Sequence, residues 1–304
     1  MGKALADAFP ICRETFDEAD AALGEKLGRV IFDGPDDRLT LTENAQPAIL
    51  AVSIAAYRLL ESRGHQPSFL AGHSLGEYSA HVAAGTFSFA DALKLVRRRG
   101  RYMQEAVPVG QGAMAAILGL SADTVEQACR EAADGEIVSP ANLNGPGQVV
   151  IAGGRDAVKR AGERAKALGA KRVVPLPVSA PFHCALMKPA EERLAPELRL
   201  VPSRDPRVPV VANVDAEPKR DAHRSIEALV AQVSSPVRWE DVVRRLASEG
   251  VTTYVEVGPG TVLSSLVGKI HREATSVSFG SPGDLARVES ASESSVARSS
   301  TTKS

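Results

Sequence analysis

Residues Ser68–Ala84 read S-F-L-A-G-H-S-L-G-E-Y-S-A-H-V-A-A, and this segment is the strongest indication of the fold. The apolar run Phe69–Ala71 predicts a short strand, and the small residues after Ser74 predict a helix. A strand, Gly-His-Ser-Leu-Gly and a helix in this order are typical of a nucleophile elbow, which holds a serine at the tip of a sharp turn. Gly72 and Gly76 are expected where a side chain would collide with nearby backbone. Ser74 is therefore a candidate nucleophile, against the alternative of a glycine-containing turn with an incidental serine.

The composition favours a globular protein with two structural units. The chain has 304 residues, of which 44% are hydrophobic and 24% charged, and its formal net charge is -1. This balance gives no indication of a nucleic acid or an anionic membrane as partner. The cysteines Cys12, Cys129 and Cys184 are scattered and show no metal or redox spacing. With no membrane span or signal segment apparent, we expect a soluble cytoplasmic protein.

The segments around the elbow are typical of an α/β fold. A helix with one apolar face precedes the elbow strand, so that helix, strand and helix follow one another. From residue 112 strands are predicted at 113–120, 137–143, 148–152 and 171–176, with helices at 122–133 and 155–168. This β-α-β-β-α-β order is that of a ferredoxin-like unit.

The chain is thus expected to consist of a core, an insertion and a tail. We predict an α/β-hydrolase-like core with a parallel sheet, formed by residues 1–110 and 178–289. A ferredoxin-like subdomain of residues 111–177 would be inserted in that core. Residues 290–304, rich in Ser and Thr, are expected to be disordered.

A basic run lies on the helix that starts after Ser88. At about 100° per residue, Arg97, Arg98 and Arg101 point away from the apolar stripe of this helix and are expected in solvent. Arg99 alone falls at the edge of the stripe and faces the protein. Because an arginine turned inward needs an anionic partner, Arg99 is a candidate binding residue.

A serine nucleophile needs a base, and the chain has six histidines. Three of them are expected at the surface: His65, His223 and His271. His73 within the elbow and His81 along the elbow helix stay possible. His183 stands out between Pro-Phe and an apolar Cys-Ala-Leu-Met, although a packing role is the alternative for any single histidine. An acidic third member is not apparent.

Six segments occur together in one order: G-H-S-L-G-E-Y-S-A, R-G-R-Y-M-Q-E-A-V-P, G-A-M-A-A-I-L-G-L, N-G-P-G-Q-V-V-I-A-G, P-F-H-C-A-L-M-K-P and Y-V-E-V-G-P-G. In these segments the chain resembles the bacterial malonyl-CoA:acyl-carrier-protein transacylases of fatty acid synthesis, over nearly its whole length. The resemblance implies a monomer that transfers a malonyl group from malonyl-CoA to acyl carrier protein. It implies no metal and no other cofactor.

The resemblance also implies roles for four residues. Ser74 would carry the acyl group and His183 would be its base. Arg99, which the helical pattern turns inward, would bind the malonyl carboxylate. The backbone carbonyl of Gln232 would orient His183 in place of an acid.

Three further residues complete the candidate site. The N–H of Leu75, which follows the nucleophile, is expected to donate to the oxyanion. His73 is expected to contribute to substrate binding. Phe182, by resemblance to acyltransferases with a bulky residue before the base, would favour malonyl over methylmalonyl groups, because a phenyl ring fills the space of an α-methyl group.

One departure leaves alternatives open. The similar enzymes begin with a strand ending F-P-G-Q-G-S-Q, whose first glutamine donates to the oxyanion. This sequence begins M-G-K-A-L-A-D, which corresponds to the following helix, so we expect that strand and that donor to be missing. The alternatives are a serine hydrolase, an acyltransferase of a polyketide pathway and an inactive truncated homologue.

Overall fold

A computed structural model describes residues 1–178 and 180–301, and of residues 294–301 it describes the backbone alone. The helices are α1 (Lys3–Ala8), α2 (Pro10–Leu23), α3 (Leu27–Asp33), α4 (Asp36–Thr40), α5 (Thr42–Ser62), α6 (Leu75–Ala83), α7 (Phe89–Glu105), α8 (Ala122–Ala132), α9 (Arg155–Ala167), α10 (Lys188–Leu200), α11 (Ala222–Gln232), α12 (Trp239–Ser248), α13 (Val262–Ile270) and α14 (Leu285–Thr301). The strands are β1 (Leu70–Ala71), β2 (Gly112–Leu118), β3 (Val138–Gly145), β4 (Gln148–Gly154), β5 (Arg172–Pro175), β6 (Val210–Val211), β7 (Pro218–Lys219), β8 (Thr253–Val257) and β9 (Thr275–Phe279). The fold is mixed α/β, as predicted. None of these helices combines the length and the apolar character needed to cross a bilayer.

The largest apolar core lies where α2, α5 and α7 pack against one another. Helix α5 is apolar on most of its circumference and buries Leu50, Val52 and Ile54 almost completely. Burying such a side chain contributes about 1.5–3 kcal/mol. On α7, a side chain at Gly100 would lie 2.5 Å from the carbonyl oxygen of Thr42. The glycine therefore lets α7 approach the start of α5 closely, and this approach brings the neighbouring Arg99 to the core.

Residues 112–175 form an antiparallel sheet of strand order β3-β4-β2-β5. Strand β2 lies in the middle, where Ala115 pairs with Ile151 of β4 and with Pro175 of β5. Helices α8 and α9 pack together beside this sheet and share a separate apolar core with it. The strands and helices predicted for this region are confirmed, and their ends differ from the predicted ones by at most two residues.

The predicted parallel sheet is present as two separate parallel pairs. Strand β1 pairs with β6, with Leu70 opposite Val210, and β8 pairs with β9, with Thr253 opposite Thr275. Within the described residues the two pairs belong to different sheets. Parallel pairing is therefore present in both sheets, whereas a strand's sequence pattern shows only that it is extended and not which strand lies beside it.

The segment predicted to be a disordered tail, residues 290–304, is helical in the part that the structure describes. Helix α14 continues through Thr301, and residues 302–304 lie outside the described part. Val288 and Ala291, three residues apart, are buried on one face of this helix. The Ser292 hydroxyl lies 3.2 Å from His65 Nδ1. Burial of Ala291 and the contact of Ser292 hold the first residues of this segment against the rest of the protein.

Candidate active site

Ser74 lies at the turn between strand β1 and helix α6, as the elbow pattern predicts. Its backbone has φ 52° and ψ -108°, in the region that favours glycine. Such a conformation costs on the order of 1–3 kcal/mol and persists only where the surroundings enforce it. The Ser74 N–H donates to Asn213 Oδ1 at 2.7 Å, and its carbonyl accepts from Gln232 Nε2 at 2.9 Å. These two contacts help to hold the turn.

The two elbow glycines have different environments. A side chain at Gly72 would lie 2.0 Å from the carbonyl carbon of Gly76, so Gly72 is required by close approach. A side chain at Gly76 would meet nothing within 4 Å. The prediction of a collision at Gly76 is therefore wrong. Only a side chain at Gly72 would collide, because it would point at the backbone of Gly76.

His183 is brought to Ser74 from a distant part of the chain. Its Nε2 lies 2.7 Å from Ser74 Oγ, and its Nδ1 lies 3.0 Å from the backbone carbonyl oxygen of Gln232. With Nδ1–H donating to this carbonyl, Nε2 is left to accept the serine proton. His183 is 3% exposed and has φ 59°, again in the region that favours glycine.

Burial and then the charge of Arg99 lower the pKa of His183 to about 3. The imidazole is therefore neutral near neutral pH, which is the form that can accept a proton.

Arg99 is buried, at 2% exposure, and its guanidinium reaches the serine. Nη2 donates to Ser74 Oγ at 3.1 Å and to Gln232 Oε1 at 2.9 Å, and Nη1 donates to Gln46 Oε1 at 2.8 Å. Nε has no partner in the described residues, and no described carboxylate forms a salt bridge with Arg99. A buried guanidinium that forms no salt bridge with a described carboxylate, and whose Nε–H is without a partner there, suits an anionic ligand.

Helix α7 carries three further arginines, and two of them face solvent as predicted. Arg98 and Arg101 are about half exposed and pair with Glu197 and Glu105. Arg97, expected in solvent, is only 23% exposed and pairs with Glu25. Helical periodicity predicts the direction in which Arg97 points, but it does not predict that other parts of the chain, such as Glu25, partly cover its side chain.

Four polar residues of the site were not found from the sequence. Gln46 accepts from Arg99, Asn213 accepts from the Ser74 N–H, and Glu77 accepts from Gln232 Nε2 at 2.8 Å. Asn144 Oδ1 lies 2.9 Å from His73 Nε2. These four residues could have been recognised only as polar residues among apolar ones. In a single sequence that pattern is a weak indication of a site.

The remaining predicted residues lie around this centre. Leu75 begins α6, so its N–H has no helix carbonyl to bind and can donate to a ligand. His73 packs near Trp239, and burial lowers its pKa. Phe182 packs in an apolar cluster with Met114 of the inserted sheet.

His81 is not part of this centre. Its Nδ1 lies 3.2 Å from Thr86 Oγ1.

This arrangement combines a hydroxyl, a neutral imidazole oriented by a carbonyl, a helix N–H and a buried guanidinium at one point. It can transfer an acyl group through the serine, and the guanidinium favours an acyl group that carries a carboxylate.

Comparisons with known proteins agree over nearly the whole chain. The model of the family described as "Acyl transferase domain" matches residues 1–292. A curated malonyl CoA-acyl carrier protein transacylase from Escherichia coli (strain K12) is 50% identical over 283 residues, covering 93% of this chain and 92% of the relative. The crystal structure of an acyl carrier protein S-malonyltransferase from Vibrio cholerae superposes with a TM-score of 0.93 at 47% identity, covering 95% of this chain and 94% of that one. A type II PKS acyl-carrier protein in complex with its malonyl-transacylase gives a TM-score of 0.92 at 47% identity, covering 94% and 93%.

Proposed function

Because this chain belongs to the family of acyl transferase domains, we propose that it transfers the malonyl group from malonyl-CoA to the thiol of acyl carrier protein, in fatty acid biosynthesis. One observation carries the proposal: Ser74 Oγ lies 2.7 Å from His183 Nε2 and 3.1 Å from Arg99 Nη2. The nucleophilic oxygen therefore lies within hydrogen-bond distance both of a base and of a cation that can bind the free carboxylate of the malonyl group.

In the first half of the reaction Ser74 Oγ attacks the thioester carbonyl carbon while His183 Nε2 accepts its proton. The Leu75 N–H donates to the oxyanion. When the carbon–sulfur bond breaks, His183 returns the proton to the departing CoA thiolate. Arg99 pairs with the malonyl carboxylate and so selects it over an acetyl group.

In the second half the carrier-protein thiol attacks the acyl-serine. His183 accepts the thiol proton and gives it to Ser74 Oγ as the ester bond breaks, which restores the free site. The Gln232 carbonyl oxygen stabilises the transient imidazolium through Nδ1–H, the part that an acid has in many serine hydrolases.

We also infer the finer architecture and its boundaries. A ferredoxin-like insertion of residues 111–177 is supported by the strand order β3-β4-β2-β5 and by the separate apolar core of this region. An α/β-hydrolase-like core of residues 1–110 and 178–289 is supported by the elbow between β1 and α6. The free buried cysteines support a reducing, cytoplasmic location.

Incubation with malonyl-CoA in the absence and presence of acyl carrier protein tests the function. A transferase should form a stoichiometric malonyl adduct on Ser74 and then stop until carrier protein is added. A serine hydrolase would instead release malonate continuously, and an inactive homologue would form no adduct. Intact-mass measurement and malonate release separate these outcomes.

A polyketide pathway is a second candidate for the same chemistry. It is favoured by the similarity to the malonyl-transacylase in complex with a type II PKS acyl-carrier protein. Rates of transfer to carrier proteins of the two pathways, measured side by side, would assign the chain to one of them.

Arg99→Ala is expected to reduce malonyl loading more than acetyl loading. The malonyl carboxylate would lose a charge-assisted partner worth about 1.5–3 kcal/mol, or about 10- to 150-fold. Acetyl loading should suffer less, because the acetyl group makes no such contact. Intact-mass rates with malonyl-CoA and acetyl-CoA give the ratio. Arg101→Ala, at a half-exposed position, is the matched control, and an equal loss for both acyl groups would refute the assigned role.

Phe182 is expected to favour malonyl over methylmalonyl groups. A phenyl ring next to His183 would occupy the space of an α-methyl group, and discrimination by one methyl group is worth about 1–3 kcal/mol. Phe182→Ser should therefore reduce the ratio of malonyl to methylmalonyl loading. Competing the two CoA thioesters for Ser74 measures it, and equal adducts on the unaltered chain would contradict this role.

A further inference from the structure

Glu77 is a buried carboxyl group behind Ser74 that the proposed reaction does not use. It lies in the first turn of α6 and is 0% exposed. Oε2 accepts from Gln232 Nε2 at 2.8 Å and from the Asn213 N–H at 3.0 Å. Oε1 has no hydrogen-bond partner in the part of the chain that the structure describes. A buried carboxyl group with one unpartnered oxygen is costly, and this cost calls for an explanation.

Glu77 determines how the Gln232 side chain is oriented. A carboxylate only accepts hydrogen bonds, so the Gln232 amide must present its Nε2 to Glu77. The same Nε2 donates to the Ser74 carbonyl, and Oε1 is left to accept from Arg99 Nη2 at 2.9 Å. The reversed amide would place N–H groups against the guanidinium. The orientation of Gln232 thus holds Arg99 beside Ser74 Oγ.

Glu77 also places a negative charge that interacts with the guanidinium of Arg99, and Arg99 forms no salt bridge within the described residues. The charged groups that face Glu77 are Arg99 from α7, which favours its ionised form, and Asp215 after β6, which opposes it. The phenol of Tyr78 lies beside Glu77 on α6 and interacts with the charges of both Glu77 and Arg99. Burial raises the pKa of Glu77 to about 7, against the hydrogen bonds from Gln232 and Asn213, which lower it.

We propose that Glu77 is a positioning residue for the malonyl carboxylate: it orients the Gln232 amide that holds Arg99, and it takes up a proton from solvent when that carboxylate arrives. The inference rests on the proposed function. Two carboxylates near a single buried guanidinium cannot both remain ionised without cost, so the arriving charge favours protonation of Glu77. Oε1, which has no partner, is the atom available to carry the proton.

The first test compares acyl selectivity in three variants. Glu77→Ala removes the acceptor, so the ratio of malonyl to acetyl loading should fall about tenfold. Glu77→Gln keeps an oxygen acceptor for Gln232 and should restore most of that ratio. Glu256→Gln is the matched control, since this half-buried carboxyl accepts from the backbone of Leu263 and Ser264 and from none of the site residues. Melting temperatures of all variants separate positioning from unfolding.

The second test measures the proton directly. Ser74→Ala protein binds malonyl-CoA without acylation, and calorimetry near pH 7 in buffers of different ionisation enthalpy counts the protons taken up. A substantial fraction of a proton should be taken up, and Glu77→Gln in the same background should abolish the uptake. His183 does not interfere, because its pKa of about 3 leaves it neutral in this range.

The outcomes distinguish the inference from the function. An unaltered chain that forms no malonyl adduct would overturn both together. A chain that forms the adduct while Glu77→Ala keeps the full selectivity would overturn the positioning role alone. Proton uptake that persists in Glu77→Gln would show that Glu77 is not the group that takes up the proton.

Discussion

Replacing Ser74 by alanine is expected to abolish malonyl transfer, with a loss of about 10⁶-fold, the scale for removal of a serine nucleophile. The substitution deletes Oγ, the atom that contacts both His183 and Arg99. The fold should persist, because the contacts that hold the turn come from the backbone of Ser74 and from the close approach at Gly72. Intact-mass measurement after exposure to malonyl-CoA should show no adduct.

Ser79→Ala is the control for this substitution. Ser79 lies on the same helix, is half-buried, and its hydroxyl has no partner among the described residues. This variant should form the adduct normally. A stoichiometric adduct on the Ser74→Ala protein would mean that another residue is the nucleophile.

Replacing His183 by alanine is expected to slow acylation of Ser74 by about 10²–10⁴, the usual contribution of a positioned general base. The serine would keep its contact with Arg99 but lose the group that accepts its proton. Because burial lowers the pKa of His183 to about 3, the imidazole is neutral at both pH 6 and pH 8, and the loss should be seen at both. Single-turnover rates of adduct formation at both pH values measure it.

His81→Ala is the matched control, because it also removes a buried imidazole. His81 contacts Thr86 and Phe87 and makes no described hydrogen bond to the site. Its loss should lower the melting temperature while leaving the single-turnover rate nearly unchanged. If the two variants acylate equally fast, His183 is not the base.

The features that the sequence predicted well depend on local patterns. The elbow follows from a short apolar run, glycines and a serine, all within a few residues. The inward direction of Arg99 follows from helical periodicity, and its 2% exposure confirms it. The order of elements in the inserted region follows from short apolar runs separated by a capping serine, Ser121, and by the turn at Asn144–Gly147.

The features that could not be predicted from the sequence depend on contacts between residues that are distant along the chain. Glu77 and Gln232 are 155 residues apart, and Ser74 and Asn213 are 139 apart. A polar residue that is buried and satisfied in this way has the same local sequence as one in solvent. The pairing of β1 with β6 and of β8 with β9 was missed for the same reason.

Local sequence patterns were enough to locate a nucleophile and an inward arginine and to predict a mixed α/β chain, because the periods of helix and strand act over a few residues. The resemblance added His183 as the partner of Ser74. How these groups act together depends on the tertiary structure, which places Arg99 against the serine without a salt bridge to any described carboxylate and puts Gln232 between Arg99 and Glu77. Packing brings these groups together at distances near 3 Å, and at such distances burial and charge set their protonation.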